Sequence, residues 1–161
     1  MKMKSVLLAT TMLLFSCNSR KNSVTSEEFR VLMTKLAAAW TAQNTELALA
    51  CFTPDAMYMQ PPDKQFYVGH RQLRPYFAAL KQGTFMKFHH VWFDEKTQVG
   101  AGEFTFGNSL TKTGVTGVAI VTVKHKKIAT WREYFVTGSI DFNEFISTTG
   151  KNWEWHIGNY P

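Results

Sequence analysis

The chain is 161 residues long and carries 18 Lys and Arg against 12 Asp and Glu, a net charge of +6. That length fits one domain with one core, and the charge is too mild and too scattered to argue for a nucleic-acid partner. Two cysteines are too few for a disulfide framework, whereas 13 Phe, 5 Tyr and 5 Trp supply an aromatic-rich interior.

Met1-Lys-Met-Lys4 gives a short basic start, and residues 5–15 are apolar but too few to span a bilayer as a mature helix. A small residue and a cysteine follow, so residues 1–16 read as a secretory signal. Leu14-Phe-Ser-Cys17 resembles the bacterial lipoprotein signal, in which the cysteine is lipidated and becomes the first mature residue. The resemblance implies acyl chains on Cys17, palmitate among them, and a protein lipid-anchored to a membrane of the bacterial cell envelope with its domain facing the periplasm. Each buried CH₂ of such chains is worth about 0.8 kcal/mol. Cleavage would remove Lys2 and Lys4 and lower the net charge from +6 to +4. Residues 17–25 are polar and aperiodic, a flexible tether ahead of a domain at 26–146.

Ser26 is the expected N-cap of the first helix, with Phe29, Leu32, Met33, Leu36 and Trp40 on one face. A short helix restarts at Asn44-Thr45, runs through Phe52 and ends at Thr53-Pro54. Residues 55–60 read as a strand stopped by Pro61-Pro62, and 66–68 as a brief extended piece. Residues 70–81 have helical spacing at Leu73, Tyr76, Phe77 and Leu80, with Gly83 as the stop. Four extended runs follow at 84–93, 97–106, 114–123 and 127–136, joined by short turns into an antiparallel meander. Residues 141–146 are a candidate small helix. Trp153, Trp155 and Ile157 alternate like a strand, making 147–161 a covering segment.

Helices first and a meander after them define an α+β fold, with three N-terminal helices packed on one face of a strongly curved, mainly antiparallel sheet. The cone-shaped hollow between them is the default ligand site. Strand alternation then nominates its lining. Trp131 and Glu133 share one face of the last strand, Tyr58 and Gln60 share another strand's face, and Glu103 and Thr105 share a third. A carboxylate between two large aromatics is costly unless it is paired or protonated, so Glu133 is the leading candidate for a pocket role. Its possible structural partners are Arg71, Arg74 and Arg132. Two carboxylates in one hollow would separate into an acid and a base, with Glu103 as the second, unless a bulge at Gly100-Ala-Gly102 turns Glu103 outward into a structural role. One of His89 and His90 must face inward, and His90 shares parity with Phe88 and Trp92. Trp40 completes the list of ligand-binding candidates. Cys51, in an apolar run, reads as a small buried hydrophobe. No phosphate loop, nucleophile elbow or metal-ligand spacing occurs, so no metal or other cofactor is expected.

Three motifs carry a family likeness: Phe52-Thr-Pro-Asp-Ala-Met-Tyr58, Val68-Gly-His-Arg-Gln-Leu-Arg-Pro-Tyr76 and Lys127-Ile-Ala-Thr-Trp-Arg-Glu-Tyr-Phe135. In this order they resemble the SnoaL-like branch of the nuclear transport factor 2-like (NTF2-like) superfamily. The last strand and the Met-Tyr strand also resemble limonene epoxide hydrolase. That likeness matches its water-activating aspartate to Glu133, its tyrosine to Tyr58 and its asparagine to Gln60. Its Arg-x-Asp falls on Glu103 and Thr105, which supply no arginine-linked proton donor, so epoxide opening is not implied.

Three functions fit this reading. The first is a lipid-anchored protein that binds a small, largely apolar molecule in the cone. The second is a cofactor-independent acid–base enzyme of isomerase, cyclase or hydrolase type, with Glu133 and Tyr58 as its catalytic pair. The third is a homodimeric interaction module without a ligand.

Overall fold

The computed structural model describes residues 22–138 and 141–146. The expected signal, the lipidated Cys17, most of the tether and the covering segment with Trp153, Trp155 and Ile157 lie outside these residues.

Helix α1 (Ser26–Thr41) opens with a capping box. The Thr25 hydroxyl accepts from the Glu28 amide at 3.2 Å, and the Glu28 carboxylate accepts from the Thr25 amide at 2.8 Å. The cap therefore lies one residue before the expected Ser26, whose hydroxyl donates to Glu95. Phe29, Met33, Leu36 and Trp40 form the buried stripe. Helix α2 (Thr45–Ala50), capped by Asn44, ends earlier than expected because Phe52 already belongs to strand β1 (Phe52–Gln60). Pro54 sits where the β1 pairing is irregular, between Phe52 and Met57, a place where a residue without an N–H is tolerated. A 3₁₀ turn (Pro61–Asp63) leads to β2 (Gln65–Val68) and α3 (Gly69–Ala78). Gly69 has φ +68, and a Cβ there would lie 2.9 Å from the Pro54 carbonyl oxygen, so the helix start demands glycine. The helix stops at Ala78, short of the expected residue 81.

The meander is present as β3 (Thr84–Asp94), β4 (Val99–Asn108), β5 (Thr113–Lys124) and β6 (Lys127–Thr137). Strand β1 joins parallel to β6, and β2 pairs antiparallel to β1. The order β2-β1-β6-β5-β4-β3 makes one curved, mixed, six-stranded sheet that does not close into a barrel. The three helices cover its inner face, α1 against β3 and α3 against β1. Trp40 is the keystone, with its ring 5.6–6.0 Å from those of Phe77, Phe106 and Trp131.

Period-two alternation holds on β6, where Trp131 and Glu133 are buried while Arg132 and Tyr134 are exposed. On β4 the aromatic side chains win the inner face. Phe104 and Phe106 point to the helices, so Glu103 and Thr105 face outward, against expectation. Gly100 and Gly102 are not a bulge but a shelf for α1. A Cβ at Gly100 would lie 2.6 Å from the Phe29 ring, and one at Gly102 would lie 3.1 Å from Met33. The irregularity falls instead on β3. Phe88 pairs with Phe104 and His90 with Glu103, which leaves His89 as the extra residue of a bulge. The bulge reverses parity, so Phe88 faces inward, yet His90 joins His89 outside. Helix α4 (Phe142–Phe145) begins on that outer face, with the Phe142 ring stacked on His89 at 3.8 Å.

Candidate functional site

Strands β1 and β6 lie side by side with Tyr58 opposite Trp131. This register sets Gln60 beside Glu133, and three donors converge on one carboxylate. The Tyr58 hydroxyl donates to Glu133 Oε1 at 3.1 Å, Gln60 Nε2 donates to the same oxygen, and Trp131 Nε1 donates to Oε2 at 2.7 Å. Gln60 Nε2 also donates to the Tyr76 hydroxyl at 3.0 Å. Glu133 is 4% exposed. None of the three arginines proposed as partners reaches it. Arg74 pairs with Glu46 at the surface, Arg71 is exposed on α3, and Arg132 is exposed on the outer face.

Burial raises the proton affinity of Glu133 and outweighs the three hydrogen bonds that favour its charged form; Asp63 raises it further. Burial, followed by the charge of Glu133, pushes the hydroxyls of Tyr58 and Tyr76 up as well, so both stay protonated donors at neutral pH. The result is one acid of adjustable charge in a frame of neutral donors.

A cavity of about 300 Å³ opens beside this carboxyl. Trp40, Tyr58, Gln60 and Glu133 line it, as expected. Phe77, Phe104, Phe106 and Phe135 add apolar walls, while Asp63, Gln65 and Thr137 add polar atoms. Trp131 is set back from the lining. It stacks behind Tyr58 at 5.8 Å and 8° and acts by holding Glu133. Tyr76 and Asp63 were missed in the sequence. Tyr76 lies on the apolar stripe of α3 and reads as core, and Asp63 reads as part of a proline turn.

Glu103, Thr105 and His90 stand on the opposite side of the sheet. Glu103 Oε2 lies 2.7 Å from His90 Nδ1, and Thr105 Oγ1 lies 2.9 Å from His89 Nε2. The expected Glu133–Glu103 acid–base pair is thus divided by the sheet itself, and the second carboxylate felt by Glu133 is Asp63. Among the described residues no group of three or more His, Cys, Asp or Glu could hold a metal ion. Cys51 is buried, and its thiol is pushed up by burial, which keeps it inert.

Three helices on a bent open sheet, with a buried acid beside a cavity that opens at one edge, define a helix-on-sheet pocket fold. The chain belongs to the SnoaL-like domain family, which it matches over residues 33–131. That span stops before Glu133. The fold is NTF2-like. Among solved structures, the chain is similar to an NTF-2 like protein of unknown function from Burkholderia xenovorans LB400, with a TM-score of 0.60 and 13% identity over 70% of this chain and 85% of that one. It is similar to a hypothetical protein with a ketosteroid isomerase-like fold from Catenulispora acidiphila DSM 44928, in complex with trimethylamine (TM-score 0.59, 17% identity, 68% and 88% covered). It is also similar to an LEH-like epoxide hydrolase from M. tuberculosis (TM-score 0.56, 15% identity, 69% and 84% covered). Such low identities define the fold alone. No curated protein matches the chain significantly.

Proposed function

We propose that this protein binds a small, largely apolar molecule in the cone, with Glu133 as its polar anchor, and is held at a membrane of the cell envelope by lipid on Cys17. The observation that carries the reading is a cavity with aromatic walls that ends on a buried carboxyl with no cation beside it among the described residues. Small-molecule sites combine such walls with a few convergent polar groups. The trimethylamine held by the Catenulispora protein is a small, mostly apolar guest, in keeping with this reading. The test is native mass spectrometry of the full-length chain against cell extract metabolites, repeated with Leu80→Trp to fill the cavity rim. Adducts of small molecules in the parent chain that vanish in the variant support the reading, and a parent chain that takes up nothing sinks it. For the anchor, Cys17→Ser should move the protein from the membrane fraction to the soluble fraction.

A second reading, proton transfer by Glu133, is favoured by its raised proton affinity beside a cavity. Tyr58 would then hold the acid in place while it accepts and returns a proton. Turnover lost in Glu133→Gln with binding retained separates catalysis from binding. Exposed Trp92, Tyr134 and Val136 on the outer face support a homodimer formed through the sheet.

A further inference from the structure

The electrostatics of the cavity narrow the chemistry of its guest, on the premise that the cavity is a binding site. Facing Glu133 are Tyr58 and Gln60 from β1, Tyr76 from α3, Asp63 from the 3₁₀ turn and Trp131 from its own strand. No Lys, Arg or His stands among them. Among the described residues the charged groups that line the cavity, Glu133 inside and Asp63 at its exposed edge, are both acids, and the nearest lysines in sequence, Lys64 and Lys81, are exposed and do not line it. Among the described residues, the arginines of the flanking elements are engaged elsewhere or point away, Arg74 to Glu46 and Arg132 to the outer face. A buried carboxylate lacking a counter-charge is several kcal/mol worse than one with a cation in contact.

The count of hydrogen-bonding sites points the same way. A carboxylate offers about four lone-pair sites, and protein donors occupy three of them on Glu133. Gln60, which also lines the cavity, has its Oε1 buried without a partner among the described residues. Two neighbouring side chains therefore keep acceptors that no described residue fills. An ammonium carries up to three N–H donors and a full positive charge, and so answers both.

The walls supply the third argument. The rings of Tyr58, Tyr76, Trp40 and Phe106 gather at the cavity. Aromatic faces attract a cation lying within about 6 Å, by roughly 0.5–2 kcal/mol per contact as water is removed. An anion is opposed by the charge of Glu133 and by the aromatic faces, and the one cavity-lining donor left without a partner among the described residues, Trp40 Nε1, offers it a single hydrogen bond.

We infer that the cavity selects a small organic ammonium, an alkyl- or arylalkylamine in its protonated form, with its nitrogen against Glu133 and Gln60 and its apolar body on the aromatic walls. Glu133 supplies the charge and Gln60 the second acceptor. Asp63 biases approach from the mouth.

The test compares three probes of one skeleton, benzylammonium, benzyl alcohol and benzoate, by isothermal titration calorimetry on the full-length chain in mild detergent. Benzylammonium should bind on the order of tenfold more tightly than benzyl alcohol, with benzoate weakest. Glu133→Gln should erase that preference. Because burial raises the proton affinity of Glu133, titrations repeated from about pH 5 to 8 should pass through a window in which benzylammonium binding releases protons, seen as heats that differ between buffers, whereas benzyl alcohol binding should not. That second measurement needs only the parent chain and stands even if Glu133→Gln does not fold. Tyr58 and Tyr76 stay neutral across this range. Alcohol binding as tight as amine binding overturns the ammonium assignment and leaves the apolar pocket standing. Failure of all three probes to bind overturns both.

Discussion

Two glutamates on one sheet, Glu133 on β6 and Glu103 on β4, have one strand between them and lead opposite lives. Glu103 stands on the outer face with its side chain 35% exposed and meets a half-exposed His90. Water screens that contact, and its worth is small. Glu133 is enclosed, ringed by three neutral donors and faced by aromatic rings. The same side chain is a surface ornament in one place and a chemically poised group in the other. What separates them is which neighbour on each strand claims the inner face: Phe104 takes it from Glu103, whereas on β6 the exposed Tyr134 leaves it to Glu133.

The sharpest way to break the contrast is to remove the support of the inner acid. Trp131→Ala deletes a fully buried indole and the donor to Oε2, and should cost about 3–5 kcal/mol in urea unfolding. A loss below about 1 kcal/mol would mean that the inner cluster is not packed as described. A subtler probe is charge. The folded chain holds the Glu133 proton to a higher pH than the unfolded chain, whose value lies near 4.5. Folding is therefore linked to proton uptake between the two values. The contribution of Glu133 is fullest below the unfolded value and is lost as pH rises through the folded one. Urea midpoints measured from about pH 4 to 9 should show that decline in the parent chain and a flatter profile in Glu133→Gln. The smallest effect belongs to the outer acid. Glu103→Gln should change stability by less than about 1 kcal/mol and leave benzylammonium affinity untouched. A larger change in either would show that the outer cluster is coupled to the cavity.

Much of this was legible in the chain. Apolar spacing at 3.6 residues located α1 and α3, and period two located all four strands of the meander and paired Trp131 with Glu133. Tyr58 and Gln60 followed from the same rule. The rule is blind to sign, however. It tells which residues share a face and not which face turns inward, so Glu103 and Thr105 were assigned to the wrong side. Nor does it survive an inserted residue, and His89 supplies one ahead of His90. Tyr76 and Asp63 needed three-dimensional information, because their proximity to Glu133 depends on how α3 and the proline turn lie across β1. The cavity itself is a property of curvature, which no window of residues encodes.

The parallel pairing of β1 with β6 has a consequence for how the molecule matures. Tyr58 and Gln60 meet Glu133 across 75 and 73 positions of sequence, so the carboxyl's setting is assembled from the two ends of the fold. A nascent chain that has finished its helices and first hairpin owns half of the setting and cannot bury it. Only when the last strand arrives does β1 lose its open edge, and contacts of such long separation slow the search for the native state. The functional pocket and the final seam of folding are therefore the same place, and a chain caught before that seam closes would show β1 and its aromatic face to its neighbours as a template for aggregation.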